Sequence, residues 1–399
     1  MSVKITKVRA ICTAPEGIAL VIVKVETNQP GLYGIGCATF TQRYLAVAHA
    51  VETYFDPLLQ GKEVNRIEDI WQMCMVSSYW RNDGILNNAL SGVDIALWDI
   101  KGKMAHMPLY DLFGGKVREG ARVYRHADGH TIDEVAEAVQ NYIDQGIQVI
   151  RLQFGGYGGK GKLAEKTENA CEGAYYDPLH YQLDTVRLFH EMRSRFGYEI
   201  EFCHDVHERL EPIEAIRLAK ELEPYRLFFL EDALAPEQVA WFKQMRAQTH
   251  TPLAMGELFN NPVEWQELIS NRLIDFIRVH ISQIGGLTPS RKLALLCESY
   301  SIRTAWHGPG DTSPVGHAAN IHLDLSSWNF GIQEWSSWSE KSLEVFPGCP
   351  ELRRGYVYSN DKPGLGIDLD EEKAAKYPCD PTLPEWTNAR RPDGTIARP

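Results

Sequence analysis

From about residue 121 onward, short apolar runs alternate with longer segments whose apolar positions recur at helical spacing. The runs are RVYRHADG, VIRLQFGG, IEFCHDVH, LFFLEDA, PLAMGEL, DFIRVHIS, RTAWHGP and FGIQEW, eight in all. Between them stand IDEVAEAVQNYIDQG, PIEAIRLAKELEP, PEQVAWFKQMRAQT and LTPSRKLALLCESYS, each amphipathic at helical period. Strand-like runs alternating with helices predict a parallel sheet covered on both faces. The polar residues closing the runs are evenly spaced. Asp205 to Glu231 and Glu231 to Glu257 are the same interval, 26 residues. A (β/α)₈ barrel spends roughly 30 residues on each unit. Eight consecutive units therefore predict closure into a barrel. No G-x-G-x-x-G follows the early strands, which disfavours an open dinucleotide-binding sheet.

The front of the chain has a different pattern. ITKVRAICTA and IALVIVKVET read as strands, and NQPGLYG as a turn cluster. NNALSGVDIALWDIKGKMA places Leu90, Val93, Leu97 and Ile100 on one helical face, and PLYDLFGG ends that region with glycines. The expected organisation is an α+β domain over 1–120 and a (β/α)₈ TIM-type barrel over 121–335. The segment 336–399 is expected to pack back on the first domain. The stretch GGYGGKGKLAEKTENACEGAYYDPLH exceeds what one barrel unit needs and follows the second strand. Long loops of this kind serve as lids, and that is its expected role here.

The net charge of −12 over 399 residues argues against nucleic acid and anionic membrane as main partners. The eight cysteines form no C-x-x-C pair and are too sparse for a disulfide framework. The N-terminus shows no signal-peptide core, and no apolar run reaches membrane-spanning length. A cytoplasmic setting is the expectation.

Barrel active sites sit at the C-terminal ends of the strands. The candidates are therefore His126, Arg151, Gln153, Asp205, His207, Glu231, Glu257, Arg278, His280, His307 and Glu334. Asp205, Glu231 and Glu257 would repel one another if brought together without a cation. An all-oxygen set suits Mg²⁺. Taken singly, each acid could instead serve a helix N-terminus, and that is the reading for Asp232. Residues two apart on a strand share a face. This groups Asp205 with His207, Arg278 with His280, and Arg151 with Gln153, and it turns His204 away as a structural residue. His207 is then either a metal ligand or an acid/base group. His307, in WHGPGD, is either a catalytic or substrate-contacting group or a satisfied structural histidine.

The acids on successive strands, together with SGVDIALWDIKGK, resemble the enolase superfamily on its mandelate racemase/muconate-lactonizing side. HDVHERL, VIRLQ, YGGKGK, FIRVHISQIGG, AWHGPGDTSPV, NFGIQEW and DKPGLGIDLDEE resemble its D-mannonate/D-galactonate dehydratase family, which includes starvation-sensing proteins. The resemblance implies one Mg²⁺ per chain on Asp205, Glu231 and Glu257, binding a sugar acid's carboxylate and stabilising the enediolate. It implies Tyr157, paired with Arg151, as base, and His207 as the acid for the departing 3-hydroxyl. A tyrosine needs a nearby cation to lower its pKa, and a leaving hydroxide needs a proton, so both roles are chemically sensible. It implies substrate contacts from Arg278, His307 and Glu334, with His126, Gln153, His280, Asp311, Thr41 and Trp80 as further candidates. The product would be a 2-keto-3-deoxy sugar acid from an aldonate such as D-mannonate or D-gluconate.

Four departures touch the substrate side. The chain between Gln153 and Tyr157 is shorter than in mannonate-specific members, which makes Tyr175 and Tyr176 rivals for the base. Thr41 stands where such members carry an amide, Pro309 where they carry a small residue, and TIARP lacks their closing aromatics. The metal acids are untouched, so altered or weak sugar specificity is expected. A racemase or epimerase would share the proton abstraction. A metabolite-binding regulatory protein would share only the binding. A homo-oligomer is expected.

Overall fold

A computed structural model describes residues 2–154 and 167–398. The chain divides into two units. One comprises residues 1–122, 257–263 and 278–381, and the other 123–256, 264–277 and 382–399.

The first unit opens with three antiparallel strands, β1 (Ile5–Thr13), β2 (Leu20–Thr27) and β3 (Tyr33–Cys37). Val8, Val21, Val23 and Val25 are fully buried in a core shared with the helix Gly84–Ala105. That helix is the one predicted from apolar spacing, and Leu90, Val93, Leu97 and Ile100 are all buried. Asp83 caps its N-terminus by accepting the Gly84 amide at 2.7 Å. The helix lies so close to β3 that a Cβ on Gly34 would come within 2.0 Å of the Ala96 carbonyl oxygen. The two glycines in YGIGC are what allow this approach.

A later part of the chain completes this layer. Glu371 receives both Nη atoms of Arg9 (2.7 and 2.6 Å) and the Lys24 ammonium (2.7 Å). Thr13 Oγ1 donates to the Ala374 carbonyl at 2.9 Å. Buried Asp99 accepts amides from both Ile35 and Leu365, at 3.1 and 2.9 Å.

The second unit carries six parallel strands in chain order. They are β4 (Ala121–Gly129, entering this unit at Val123), β5 (Val149–Phe154), β6 (Glu201–Asp205), β7 (Leu230–Glu231), β8 (Leu253–Met255) and β9 (Phe276–Ile277). Helices alternate with them. Ile132–Asp144 is capped by Thr131, and Pro178–Phe196 by Asp177. The strands are apolar because parallel sheets are covered on both faces. In LFFLED only Leu230 and Glu231 make a regular ladder. Phe228 N–H nevertheless donates to the Phe202 carbonyl at 2.7 Å, so the whole run is extended.

The seventh and eighth runs appear in the first unit as β10 (Arg303–Thr304) and β11 (Gln333–Glu334). A hairpin of β12 (Glu351–Arg353) and β13 (Tyr356–Tyr358) follows them. Every one of the eight predicted runs thus holds a strand. Residues 257–263 and 278–381 group with the first sheet, and 382–399 group with β4–β9. Among the described residues, no helix is long and apolar enough to cross a membrane.

Candidate active site

Strand register sets the geometry in the second unit. Asp205 pairs with Glu231 across β6 and β7, and His126 pairs with Arg151 across β4 and β5. In a parallel ladder, paired residues project to the same side. Asp205 and Glu231 thus form two adjacent carboxylates, 1% and 0% exposed. Their negative charge is met by specific donors. Arg151, itself buried, places Nη1 3.2 Å from Asp205 Oδ2. Tyr124, fully buried two residues before His126, donates its hydroxyl to Glu231 Oε2 at 3.3 Å. Gln153 lies on the Arg151 face of β5 and is completely buried. Neither its amide nitrogen nor its oxygen has a partner among the described residues. An orphaned buried amide costs about 1–3 kcal/mol, so its retention points to a ligand.

The chain leaves β6 sharply. His207 and Glu208 take left-handed φ values of 52° and 49°, and the His207 amide donates to Asp205 Oδ1 at 2.7 Å. The strand-pleat argument for His207 therefore fails. The residue lies beyond the strand, and the Asp205 carboxylate fixes its backbone. Such non-glycine strain collects at functional sites. Arg278 and His280 likewise lie past β9, whereas Arg151 and Gln153 do lie within β5. His204 has the structural role expected of it. Its ring is buried between the Tyr181 hydroxyl (2.7 Å) and the Leu152 carbonyl (2.8 Å). Asp232, also left-handed at φ 38°, accepts the Gly256 amide at 3.2 Å and so supports the loop that leads into Glu257.

The first unit holds a second cluster. Arg278 is fully buried between Glu334 (2.9 Å) and Glu257 (3.5 Å). Glu334 also accepts the Gly308 amide at 2.9 Å. His307 Nε2 lies 3.4 Å from Glu257, and its Nδ1 lies 2.6 Å from His280 Nδ1. Two ring nitrogens so close require one donor and one acceptor. Burial holds His280 neutral, its pKa pushed down to about 4. Asp311 offers a carboxylate oxygen beside this histidine pair, and burial pushes its pKa up to about 6.

The remaining candidates are placed differently. Thr41 donates to the Ala19 carbonyl at 3.1 Å. Trp80 is 88% exposed and its ring meets only that of Tyr79 among the described contacts. Tyr157 lies outside the described residues. Its rivals are engaged elsewhere, with Tyr175 donating to the Cys171 carbonyl and Tyr176 to the Arg209 carbonyl, both at 2.7 Å. Burial pushes the Tyr176 phenol up, the wrong direction for a base. Tyr124 was missed because a tyrosine in the middle of an apolar strand reads as core.

Residues 3–114 match the N-terminal domain of mandelate racemase and muconate-lactonizing enzymes, and 134–373 match the enolase C-terminal-like domain. The fold is that of the enolase superfamily, a (β/α)₈ barrel domain with an N-terminal α+β capping domain. A D-galactonate dehydratase family member of Salmonella enteritidis is 56% identical, covering 100% of this chain and 99% of its own. The family member RspA of Pantoea ananatis is 54% identical, with 99% of each chain covered. A crystal structure of an enolase from Pantoea ananatis, with bound D-gluconate and Mg, superposes with a TM-score of 0.98 at 53% identity and covers both chains fully. The chain belongs to the D-galactonate dehydratase family.

Proposed function

We propose that this protein is a Mg²⁺-dependent acid-sugar dehydratase acting on an aldonate of the D-gluconate or D-mannonate type. The observation that carries the reading is the buried pair Asp205–Glu231, in register, flanked by a buried cation at Arg151 and by the Gln153 amide, unpartnered among the described residues. The donor set fits the metal. Asp205, Glu231 and Glu257 offer only oxygen, and Mg²⁺ takes oxygen ligands while retaining waters or substrate. Bound there, Mg²⁺ would offset the charge that builds on the substrate carboxylate when the neighbouring carbon loses its proton. The D-gluconate and Mg bound by the Pantoea ananatis neighbour support this choice of ligands.

The chain's own residues divide the remaining work. Tyr157 takes the proton from C2, a role that requires a cation such as Arg151 to lower a phenol's pKa. His207 gives a proton to the 3-hydroxyl, which leaves as water. The resulting enol tautomerises to a 2-keto-3-deoxy acid, so one C–H and one C–O bond are broken and no redox partner is needed. Gln153, Arg278 and the His280–His307 pair bind hydroxyl and carboxylate oxygens.

The test is a panel of aldonates with Mg²⁺, assayed for 2-keto-3-deoxy acid and compared with Glu257→Gln. Product from the wild type and none from the variant is expected. Equal rates would remove the metal from the mechanism. Calorimetric binding without product would favour a metabolite-binding regulatory protein. Epimerised substrate without water loss would favour a racemase.

A further inference from the structure

The C-terminal residues form a small hairpin within the second unit. Arg391 N–H donates to the Thr395 carbonyl at 2.9 Å and Ala397 N–H to the Ala389 carbonyl at 2.8 Å. Gly394, at φ 88°, makes the turn. This hairpin is stitched to the chain that follows β5. Arg390 N–H donates to the Ala174 carbonyl at 2.7 Å, and Tyr176 N–H to the Arg390 carbonyl at 2.9 Å. It is also held by charge to the chain that follows β6. Arg391 pairs with Glu211, and Arg398 Nε lies 3.8 Å from Glu208. Glu208 is the neighbour of His207. Just before the hairpin, Trp386 sets its ring edge-to-face with the His207 imidazole, centroids 6.2 Å apart at 73°.

We infer that Trp386 is a positioning residue: fixed by the C-terminal strap, its indole holds the His207 imidazole in the orientation from which it delivers a proton. This rests on the dehydratase reading and deepens it. The separation and angle are those preferred by aromatic pairs, in which a ring edge meets a π face. A proton donor turned out of line loses rate while the substrate still binds, because small misplacements of reacting groups cost up to roughly 10²-fold in rate.

The experiment compares wild type, Trp386→Ala, Trp386→Phe and Arg391→Ala on whichever aldonate is turned over. Trp386→Ala is expected to lower kcat about tenfold or more with KM little changed. Trp386→Phe, which keeps a ring, is expected to recover most of the loss. Arg391→Ala, which loosens the strap without touching the ring pair, should fall between them. A second measurement needs no activity: carbethoxylation of His207 by diethyl pyrocarbonate, followed by peptide mass spectrometry. His207 should react several-fold faster in Trp386→Ala than in wild type or Trp386→Phe. Equal modification rates in all variants would overturn the inference, as would an unchanged kcat in Trp386→Ala. A wild type that turns over no aldonate would sink the dehydratase reading, and the modification rates would still decide whether Trp386 holds the ring.

Discussion

Replacing Tyr124 with phenylalanine removes one oxygen from the site and leaves the ring that packs edge-to-face on Phe229, centroids 5.7 Å apart. The lost hydroxyl is the one that donates to Glu231 Oε2 at 3.3 Å. Partners that orient a metal-ligating group typically contribute 10–100-fold in metal affinity. An O–H···O bond normally spans about 2.5–3.0 Å, so this one belongs at the weak end of the range. The expected loss is about tenfold in Mg²⁺ affinity, equivalent to ~1.4 kcal/mol. Isothermal titration of metal-stripped protein with Mg²⁺, without substrate, reads this directly. Thermal unfolding of the metal-free variant checks that the fold survives. A Mg²⁺ affinity equal to or tighter than wild type, in a folded variant, would refute the idea that Tyr124 orients a ligand.

Glu231→Gln should abolish Mg²⁺ binding in the same titration, whereas Asp232→Asn should weaken it only slightly. An asparagine oxygen can still accept the Gly256 amide, so equal losses would undo the division of roles between these neighbours. Gln153→Leu should raise the melting temperature by removing a buried amide without partners among the described residues, while weakening aldonate binding measured by calorimetry. A less stable variant with unchanged binding would contradict both halves. Glu371 is held down to about 2, below its ordinary 4.5, first by its hydrogen bond to Arg9. A depressed folded pKa gives stability that is present above about 4.5 and lost as the pH falls towards about 2. The melting temperature of Glu371→Gln should therefore be lower than wild type at neutral pH and converge with it in acid. Parallel curves would exclude this carboxylate from acid unfolding.

The barrel was legible because its information is periodic. Each strand must be apolar on both faces, each helix on one, and each unit must end where the next begins. The acids could be singled out for the same reason, since the strand end fixes their place in the unit. What escaped were relations that no period encodes. Tyr124 meets Glu231 across more than a hundred positions of chain. His280 meets His307 through loops beyond two different strands. Trp386 reaches His207 from a segment without secondary-structure pattern. The strand-pleat argument worked inside β5, where six residues sustain the alternation, and failed after β6, where the backbone turns left-handed. Trp80 is named as a substrate-contact candidate, yet residue type says nothing about whether a loop turns its side chain inward, and the residue is 88% exposed.

The Glu371 junction bears on how this chain can be made. Arg9 and Lys24, near the start, share one carboxylate near the end, and Asp99 waits for the Leu365 amide. A ribosome adding about 5–20 residues per second delivers those partners tens of seconds after the first strands emerge. The layer of β1–β3 is therefore synthesised well before the residues that finish it. Until residue 371 arrives, Arg9 has Glu26 but not its second carboxylate, and Lys24 lacks Glu371. A chain stopped near residue 120 would carry a sheet and helix with that seam open, so the capping domain is not expected to fold as a free-standing fragment.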